Sequence, residues 1–341
     1  MQVAAKTEMG LVRQSNQDYF IAENQEVGAF PNLFLIADGV GSNVKSGYAS
    51  KHTCDFVFEQ LKRTQLGIDY IEELSKVYRM ANTDLFYRIL ANTDYTGMGT
   101  TLVIGTIEND RLIVGNVGDS RCYHITNRIR QLTRDHSVAE ELVRTNSLSR
   151  DSDMYKQYKH QLTRAIGAQK TITPDFFETE LNIGDYILFC TDGITNMLSD
   201  KELFDIIKQN ITLDEKVTSL IEHANLKGGL DNMAVILLYI DYIDKSLSIF
   251  EREKRENEKN NKDLLDLIKE KNDERLRRER EEEEKYRTMS ELKIDVDDFV
   301  KNDNTKIYNF TSGRSRKRKD LADSDNSENN ERKEGDESDG Q

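Results

Sequence analysis

Cysteine and long apolar runs are scarce in this 341-residue chain, and positive charge is outnumbered by negative. Its three cysteines, Cys54, Cys122 and Cys190, are scattered at spacings that fit no zinc module. Two of them lie in apolar, strand-like runs, so buried free thiols in a reducing compartment are expected. No apolar stretch is long enough to cross a bilayer, and the N-terminus has no apolar leader, so a cytoplasmic protein with no membrane partner is expected by elimination. Lys and Arg number 48 against 62 Asp and Glu, for a net charge of -14. That balance argues against general nucleic-acid binding.

The charge that is present is unevenly spread. Residues 1–244 read as one globular domain, large enough to bury a core without staples. Residues 245–302 are dominated by Glu, Lys, Arg, Asn and Asp, with opposite charges three and four apart, and read as a charged, largely helical extension. Apolar positions there do not persist over several heptads, which argues against a long coiled coil. Residues 303–341 are a low-complexity polar mixture expected to be disordered. Within them the run RSRKRK (314–319) begins at Arg314 and ends with Lys319. It is the one place where an acidic partner, nucleic acid or an import receptor is a candidate, against the plainer reading of a solvated charge block.

Inside the globular part, segments 18–23, 33–37, 101–107, 111–117 and 121–126 are short, apolar or β-branched, and bounded by Gly, Asn or Asp, which predicts strands. Glu108, Asn109 and Asp110 predict a hairpin turn between two of them. Segments 45–63 and 70–90 carry apolar residues at three- and four-residue steps and predict helices. Asp200 is read as the cap of a helix through Ile207, and Thr212 as the cap of another through Ala224. Strands in blocks, with helices between blocks, favour α+β layering. Segment 136–164 is polar and reads as a short helix followed by a mobile flap that rejoins the core at Leu162; a functional loop and a variable insertion remain equal alternatives.

One local design recurs four times. Apolar runs meet glycine-marked acidic turns in FLIADGVGS (Asp38), IVGNVGDSR (Asp119), ILFCTDGIT (Asp192) and GGLDN leading into AVILLYI (Asp231). A single Asp-Gly is more often only a turn. Repeated at strand ends, such carboxylates can converge on one point. Hard divalent cations take oxygen ligands of that kind, and paired cations are a standard device of phosphoryl chemistry.

With those residues in view, the chain resembles the metal-dependent Ser/Thr protein phosphatases of type 2C, in their compact bacterial-like form. The matching motifs run in order: VRQSNQD (12–18), ADGVGS, GTT (99–101), NVGDSR, QLTRDHS (131–137), LTRAIG (162–167), CTDGIT and GGLDN. The resemblance covers about 240 residues and implies a four-layer αββα sandwich around two central antiparallel sheets. It implies two Mg²⁺ or Mn²⁺ ions, with Asp38 bridging them, the Gly39 carbonyl on one, and Asp192 and Asp231 on the other. Asp119, with Asp192, matches the position that holds a third ion in bacterial-like members. Asp18 would hold water beside the metals, and Arg13 would grip the substrate phosphate. The implied partners are proteins phosphorylated on Ser or Thr, a cognate Ser/Thr kinase among them, and the implied state is a monomer.

Some positions depart from the family. Gln17 stands where many members have Glu, so a change in metal affinity is expected. Val40 stands where larger animal enzymes have His, Ser42 replaces a usual Gly, and Ala234 a usual Thr; none of these is an implied ligand. His52, His124 and His223 read as ordinary histidines, His136 and His160 receive no catalytic role, and Arg121 reads as half of a structural ion pair. GTT has too few glycines to cradle phosphate and better fits close strand packing. No Cys-based phosphatase loop is evident. Two rival readings stand beside an active phosphatase: a catalytically weak regulatory module, and a scaffold acting through its charged tail.

Overall fold

The computed structural model describes residues 1–41 and 46–243. Ser42, the charged extension, the low-complexity tail and the RSRKRK run therefore lie outside the described residues. In chain order the elements are β1 (Gln2–Glu8), β2 (Asp18–Glu23), β3 (Leu33–Val40), α1 (Ser46–Leu61), α2 (Tyr70–Ala91), β4 (Gly99–Thr100), β5 (Leu102–Glu108), β6 (Arg111–Val117), β7 (Arg121–Ile125) and β8 (Ile129–Gln131). There follow α3 (Val138–Arg144), α4 (Asp153–Tyr158), β9 (Asp175–Glu180), β10 (Tyr186–Cys190), α5 (Asp192–Thr195), α6 (Asp200–Ile207), α7 (Leu213–Leu226) and β11 (Met233–Tyr239).

The strands form two antiparallel sheets, ordered β1-β11-β10-β7-β8 and β2-β3-β5-β6-β9, with β4 paired to β3. Both faces of each sheet are covered, which explains why the central strands read as unbroken apolar runs. On β3, Phe34 and Ile36 join Val103, Val114, Ile187, Phe189, Ile236 and Leu238 in the core between the sheets. Leu33, Leu35 and Ala37, pointing the other way, pack with Cys54, Val57, Leu74, Val77 and Tyr78 of α1 and α2. On the far side, Leu188, Val235 and Leu237 pack with Leu203, Ile207, Leu220 and Ile221 of α6 and α7. The result is the αββα layering that the resemblance implied.

Differences from the sequence reading are local. β1 and β9 were not anticipated as strands. β1 pairs with β11 along its whole length, and β9 pairs with β6. The cap of α6 is Ser199 rather than Asp200. Ser199 accepts from the Glu202 amide, and Glu202 reaches back to the Ser199 amide, a complete capping box. Thr212 caps α7 as expected, but the helix continues to Leu226. The turn between β5 and β6 holds Asn109 at φ 57, as its Asn-Asp sequence suggested. Segment 136–164 contains a second helix, α4, beyond the one anticipated. Glu140 of α3, 8% exposed, ties the two together, accepting from Arg150 at 2.6 and 3.0 Å and from the Tyr155 hydroxyl at 2.6 Å.

Candidate active site

Asp38 lies within β3, one residue before Gly39, and the strand runs on to Val40. The sharp turn expected after Asp38 is therefore absent: Gly39 pairs with Thr100 of β4. The glycine is required by packing. A Cβ on Gly39 would collide with the backbone carbonyl of Ser46 at the start of α1, and would lie 2.9 Å from the Gln17 carbonyl. The Asp38 backbone is clamped by the GTT segment. Its amide donates to Thr101 Oγ1 at 2.8 Å, and its carbonyl accepts from the Thr101 amide at 2.9 Å and from Thr100 Oγ1 at 2.8 Å. Thr101 Oγ1 also lies 2.7 Å from Ser120 Oγ, tying Asp38 to the turn that carries Asp119. GTT thus does pack strands closely, and it also positions the acidic centre.

Asp18, at the start of β2, is the cross-strand partner of Asp38. Its Oδ2 accepts from Thr191 Oγ1 at 2.7 Å, and Thr191 Oγ1 accepts in turn from the Ala234 amide at 2.9 Å. One hydroxyl therefore connects β2, the end of β10 and β11. Asp192 follows Thr191, and here too the anticipated turn is something else, the first residue of helix α5. A Cβ on Gly193 would collide with the Asn232 carbonyl and lie 3.2 Å from Met233 Cγ. This contact holds the Asp192 turn against the Asp231 turn. Asn232 bolts the second turn to the N-terminal loop, donating to the carbonyls of Met9 at 2.8 Å and Ser15 at 2.9 Å and accepting from the Gln17 amide at 2.9 Å.

Three of the carboxylates, Asp18, Asp38 and Asp119, are strongly affected by their surroundings. Burial pushes Asp38 and Asp119 well above the usual carboxylate range, and neighbouring anions push further: Asp18, Asp192, Asp119 and Asp231 on Asp38, then Asp192 and Asp135 on Asp119. Asp18 is raised to about 8, first by burial and then by Asp192 and Asp231, against the opposing hydrogen bond from Thr191. Asp18 Oδ1 and Asp192 Oδ1 are buried without a hydrogen-bond partner. A crowded all-oxygen donor set with orphaned carboxylate oxygens fits hard cations such as Mg²⁺ or Mn²⁺. Among the described residues, no three His, Cys, Asp or Glu side chains stand arranged to hold a metal ion without moving. Asp231 Oδ2 is turned to Arg13 Nη2 at 2.7 Å, and Asp192 Oδ2 accepts from Asn196 Nδ2 at 2.9 Å. Arg13, read as the phosphate grip, is thus placed at the site with part of its guanidinium on a carboxylate.

The elevated pKa of Asp18 has a consequence for stability. A carboxyl whose folded pKa is raised binds its proton more tightly in the folded state. It therefore contributes stability at low pH that is lost as pH rises from its unfolded value toward its folded one, here from about 4 to about 8. Metal-free protein is expected to lose more melting temperature than Asp18→Asn between about pH 5.5 and about pH 8, and saturating Mn²⁺ is expected to flatten the wild-type loss. Parallel slopes for wild type and variant in EDTA would show that Asp18 is not held in a crowd of anions.

Lys159 and Asn196 escaped the sequence reading. Lys159 donates to Asn196 Oδ1 at 2.7 Å, so a chain of two hydrogen bonds joins segment 136–164 to Asp192. His160 Nδ1 lies 3.7 Å from Asp192 Oδ2. His136 is buried; its Nδ1 accepts from the Gly118 amide at 3.1 Å and its Nε2 lies 3.2 Å from Asp175, which steadies the turn before Asp119. Arg121 pairs with Asp135 through Nε and Nη2, the structural ion pair expected of it. His52 and His124 pair instead with Asp84 and Asp185. All three cysteines are buried and free, with burial pushing each thiol upward, Cys190 to about 12. No thiolate nucleophile is available from them.

The model of the family described as protein phosphatase 2C matches residues 12–229. The serine/threonine phosphatase stp of Listeria monocytogenes is 34% identical over 254 residues, covering 72% of this chain and 98% of its own. Protein phosphatase PhpP of Streptococcus pneumoniae is 32% identical over 246 residues, covering 72% of this chain and 99% of its own. Among solved structures, the S. agalactiae serine/threonine phosphatase aligns with a TM-score of 0.64 at 31% identity, over 70% of this chain and 99% of that one. The catalytic domain of the serine threonine protein phosphatase PstP, in complex with 2 manganese ions, aligns with a TM-score of 0.60 at 28% identity, over 69% and 96%. Matched by the family model over residues 12–229, by relatives above 30% identity along nearly their whole length and by solved phosphatases with the same fold, the chain belongs to the protein phosphatase 2C family and is a protein-serine/threonine phosphatase.

Proposed function

We propose that this chain hydrolyses phosphoserine and phosphothreonine in proteins by direct attack of water, with Mg²⁺ or Mn²⁺ held by Asp38, the Gly39 carbonyl, Asp192 and Asp231, and a further ion at Asp119 and Asp192. The observation that carries this reading is the crowding of five carboxylates contributed by β2, β3, the start of α5 and two turns. The folded protein holds anions together that repel one another, and bound divalent cations would offset that repulsion. The manganese in the PstP neighbour supports the choice of ion. When bound, such ions lower the pKa of water and screen the phosphate dianion.

The chain's own residues supply the rest. Asp18, anchored through Oδ2 to Thr191, presents Oδ1 as a fixed acceptor that orients a water. Arg13, half exposed, has guanidinium donors beyond the one on Asp231 to grip phosphate oxygens in a planar fork. The three buried thiols leave no cysteine to form a phosphoenzyme, which favours water as the nucleophile. The scaffold reading is not favoured, because every aspartate read as a metal ligand, Asp38, Asp119, Asp192 and Asp231, is present.

The test is a phosphothreonine peptide assayed with enzyme stripped by EDTA and then resupplied with Mn²⁺. Turnover is expected only with the ion. Arg13→Ala is expected to raise KM more than it lowers kcat. Full turnover in EDTA would remove the metal reading, and an unchanged KM with a collapsed kcat would move Arg13 from binding to the transition state.

A further inference from the structure

Five of the twelve exposed large apolar side chains among the described residues lie on just two short segments. Met9, Leu11 and Val12 follow β1 and are 40%, 68% and 60% exposed, while Leu226, the last residue of α7, and Leu230, between α7 and β11, are 83% and 54% exposed. Scattered single apolar residues on a surface need no explanation, but a concentration of this kind marks a contact surface. The two segments are joined. The Leu11 amide donates to the Gly229 carbonyl at 2.8 Å, Asn225 donates to Glu8 at 2.6 Å, and Asn232 donates to the Met9 carbonyl at 2.8 Å. The patch is therefore formed in advance, and an occupant would not have to order it.

The position of the patch identifies its occupant. Val12 directly precedes Arg13, and Leu230 directly precedes Asp231, so both segments run straight from the patch into the acidic centre. Consecutive Cα atoms are about 3.8 Å apart, which puts the nearest apolar positions within about 4–8 Å of the Arg13 and Asp231 backbone. An extended peptide advances about 3.3 Å per residue, so the patch lies within about two to four residues of a phosphoresidue bound at Arg13. A small phosphate ester would not reach it.

We propose that the Met9–Val12 and Leu226–Leu230 segments form a specificity surface that receives apolar side chains flanking the phosphorylated residue of the substrate protein. The proposal rests on the reading of Arg13 and Asp231 given above. Burying such a side chain is favourable in proportion to the area removed from water.

The test uses the full chain, Leu11→Ser, Leu230→Ser, and Leu66→Ser as a control at an exposed leucine elsewhere. Two phosphothreonine peptides of equal length and charge are compared, one with leucines within three positions of the phosphoresidue and one with serines there. The ester p-nitrophenyl phosphate is assayed alongside, with Mn²⁺ throughout. Wild type is expected to favour the leucine peptide by about tenfold in kcat/KM, equivalent to about 1.4 kcal/mol. Leu11→Ser and Leu230→Ser are expected to remove most of that preference, leaving the serine peptide and the ester within about twofold. Leu66→Ser is expected to match wild type. A wild type that hydrolyses the ester but does not discriminate between the peptides overturns the patch alone. So does an equal loss on both peptides in the variants, or a concentration-dependent dimer that dissociates in Leu11→Ser, since the occupant would then be a second copy of the chain. A wild type with no Mn²⁺-dependent ester turnover instead overturns the reading of the centre.

Discussion

Asp38→Asn is expected to lose Mn²⁺-dependent turnover by on the order of 10³-fold or more, and yet to melt higher than wild type when both are free of metal. The two effects have one cause. Asp38, half-buried near the end of β3, lies beside Asp18, Asp192, Asp119 and Asp231, and each of those groups opposes its ionisation. An amide of the same shape does not ionise, so it escapes the cost that burial and the neighbouring anions place on the carboxyl, and it can donate toward Asp18. The backbone clamps from Thr100 and Thr101 do not involve the side chain and remain. A gain of about 1–2 kcal/mol would raise the melting temperature by about 2–8 °C for a domain of this size. Saturating Mn²⁺ should then reverse the order, stabilising wild type and leaving the variant little changed. Melting curves in EDTA and in Mn²⁺, with turnover measured on the same samples, check all three statements. A variant less stable than wild type in EDTA would mean that Asp38 is held by favourable contacts, and the crowding account would be wrong.

Gly193→Ala is expected to be the most damaging single-methyl change at the site. Helix propensity alone predicts a gain of about 1 kcal/mol, because Gly193 lies in the first turn of a helix. Packing predicts the opposite. The new Cβ would collide with the Asn232 carbonyl and crowd Met233. Backbone cannot move aside as the end of a flexible side chain can, so a net loss of about 3 kcal/mol is expected, lowering the melting temperature by about 6–12 °C. Separating the Asp192 turn from the Asp231 turn by even about 1 Å should reduce turnover by about 10²-fold. The sign of the change in melting temperature decides between the two effects. A more stable variant would show that the turns can part freely.

The sequence made the acidic centre legible for a simple reason. Apolar runs flanking Asp38, Asp192 and Asp231 are unbroken because their strands are buried on both faces, so their ends stand out. The same reasoning misjudged the glycines next to two of these aspartates. Asp-Gly suggested a turn at Asp38 and at Asp192, whereas one glycine continues a strand and the other opens a helix. Both are glycines because another segment's carbonyl approaches from elsewhere along the chain, and no local pattern reports such an approach. Ser199 was legible and overlooked, since Ser-Asp-Lys-Glu carries the capping-box spacing. β1 and β9 were harder, because both sit at sheet edges and carry mixed polar and apolar residues with weak alternation. Thr191, Asn196 and Asn232 are polar residues of ordinary type, and their parts in the site emerge only from contacts made by the folded chain.

The bonds that assemble the centre also set when it can first exist. Arg13 meets Asp231 across 218 residues, Thr191 meets Asp18 across 173, and Gln17 meets Asn232 across 215. β1, at the very start of the chain, has β11 as its partner, and β11 ends at Tyr239. A polypeptide still being made on the ribosome therefore has its first strand unpaired and its acidic centre open until that last strand has emerged. Translation proceeds at about 5–20 residues per second, so the stretch from β1 through β11 takes roughly 10–50 s to make. A product cut short before Asp231 lacks that carboxylate and the partner of β1, and is expected to be silent rather than unregulated.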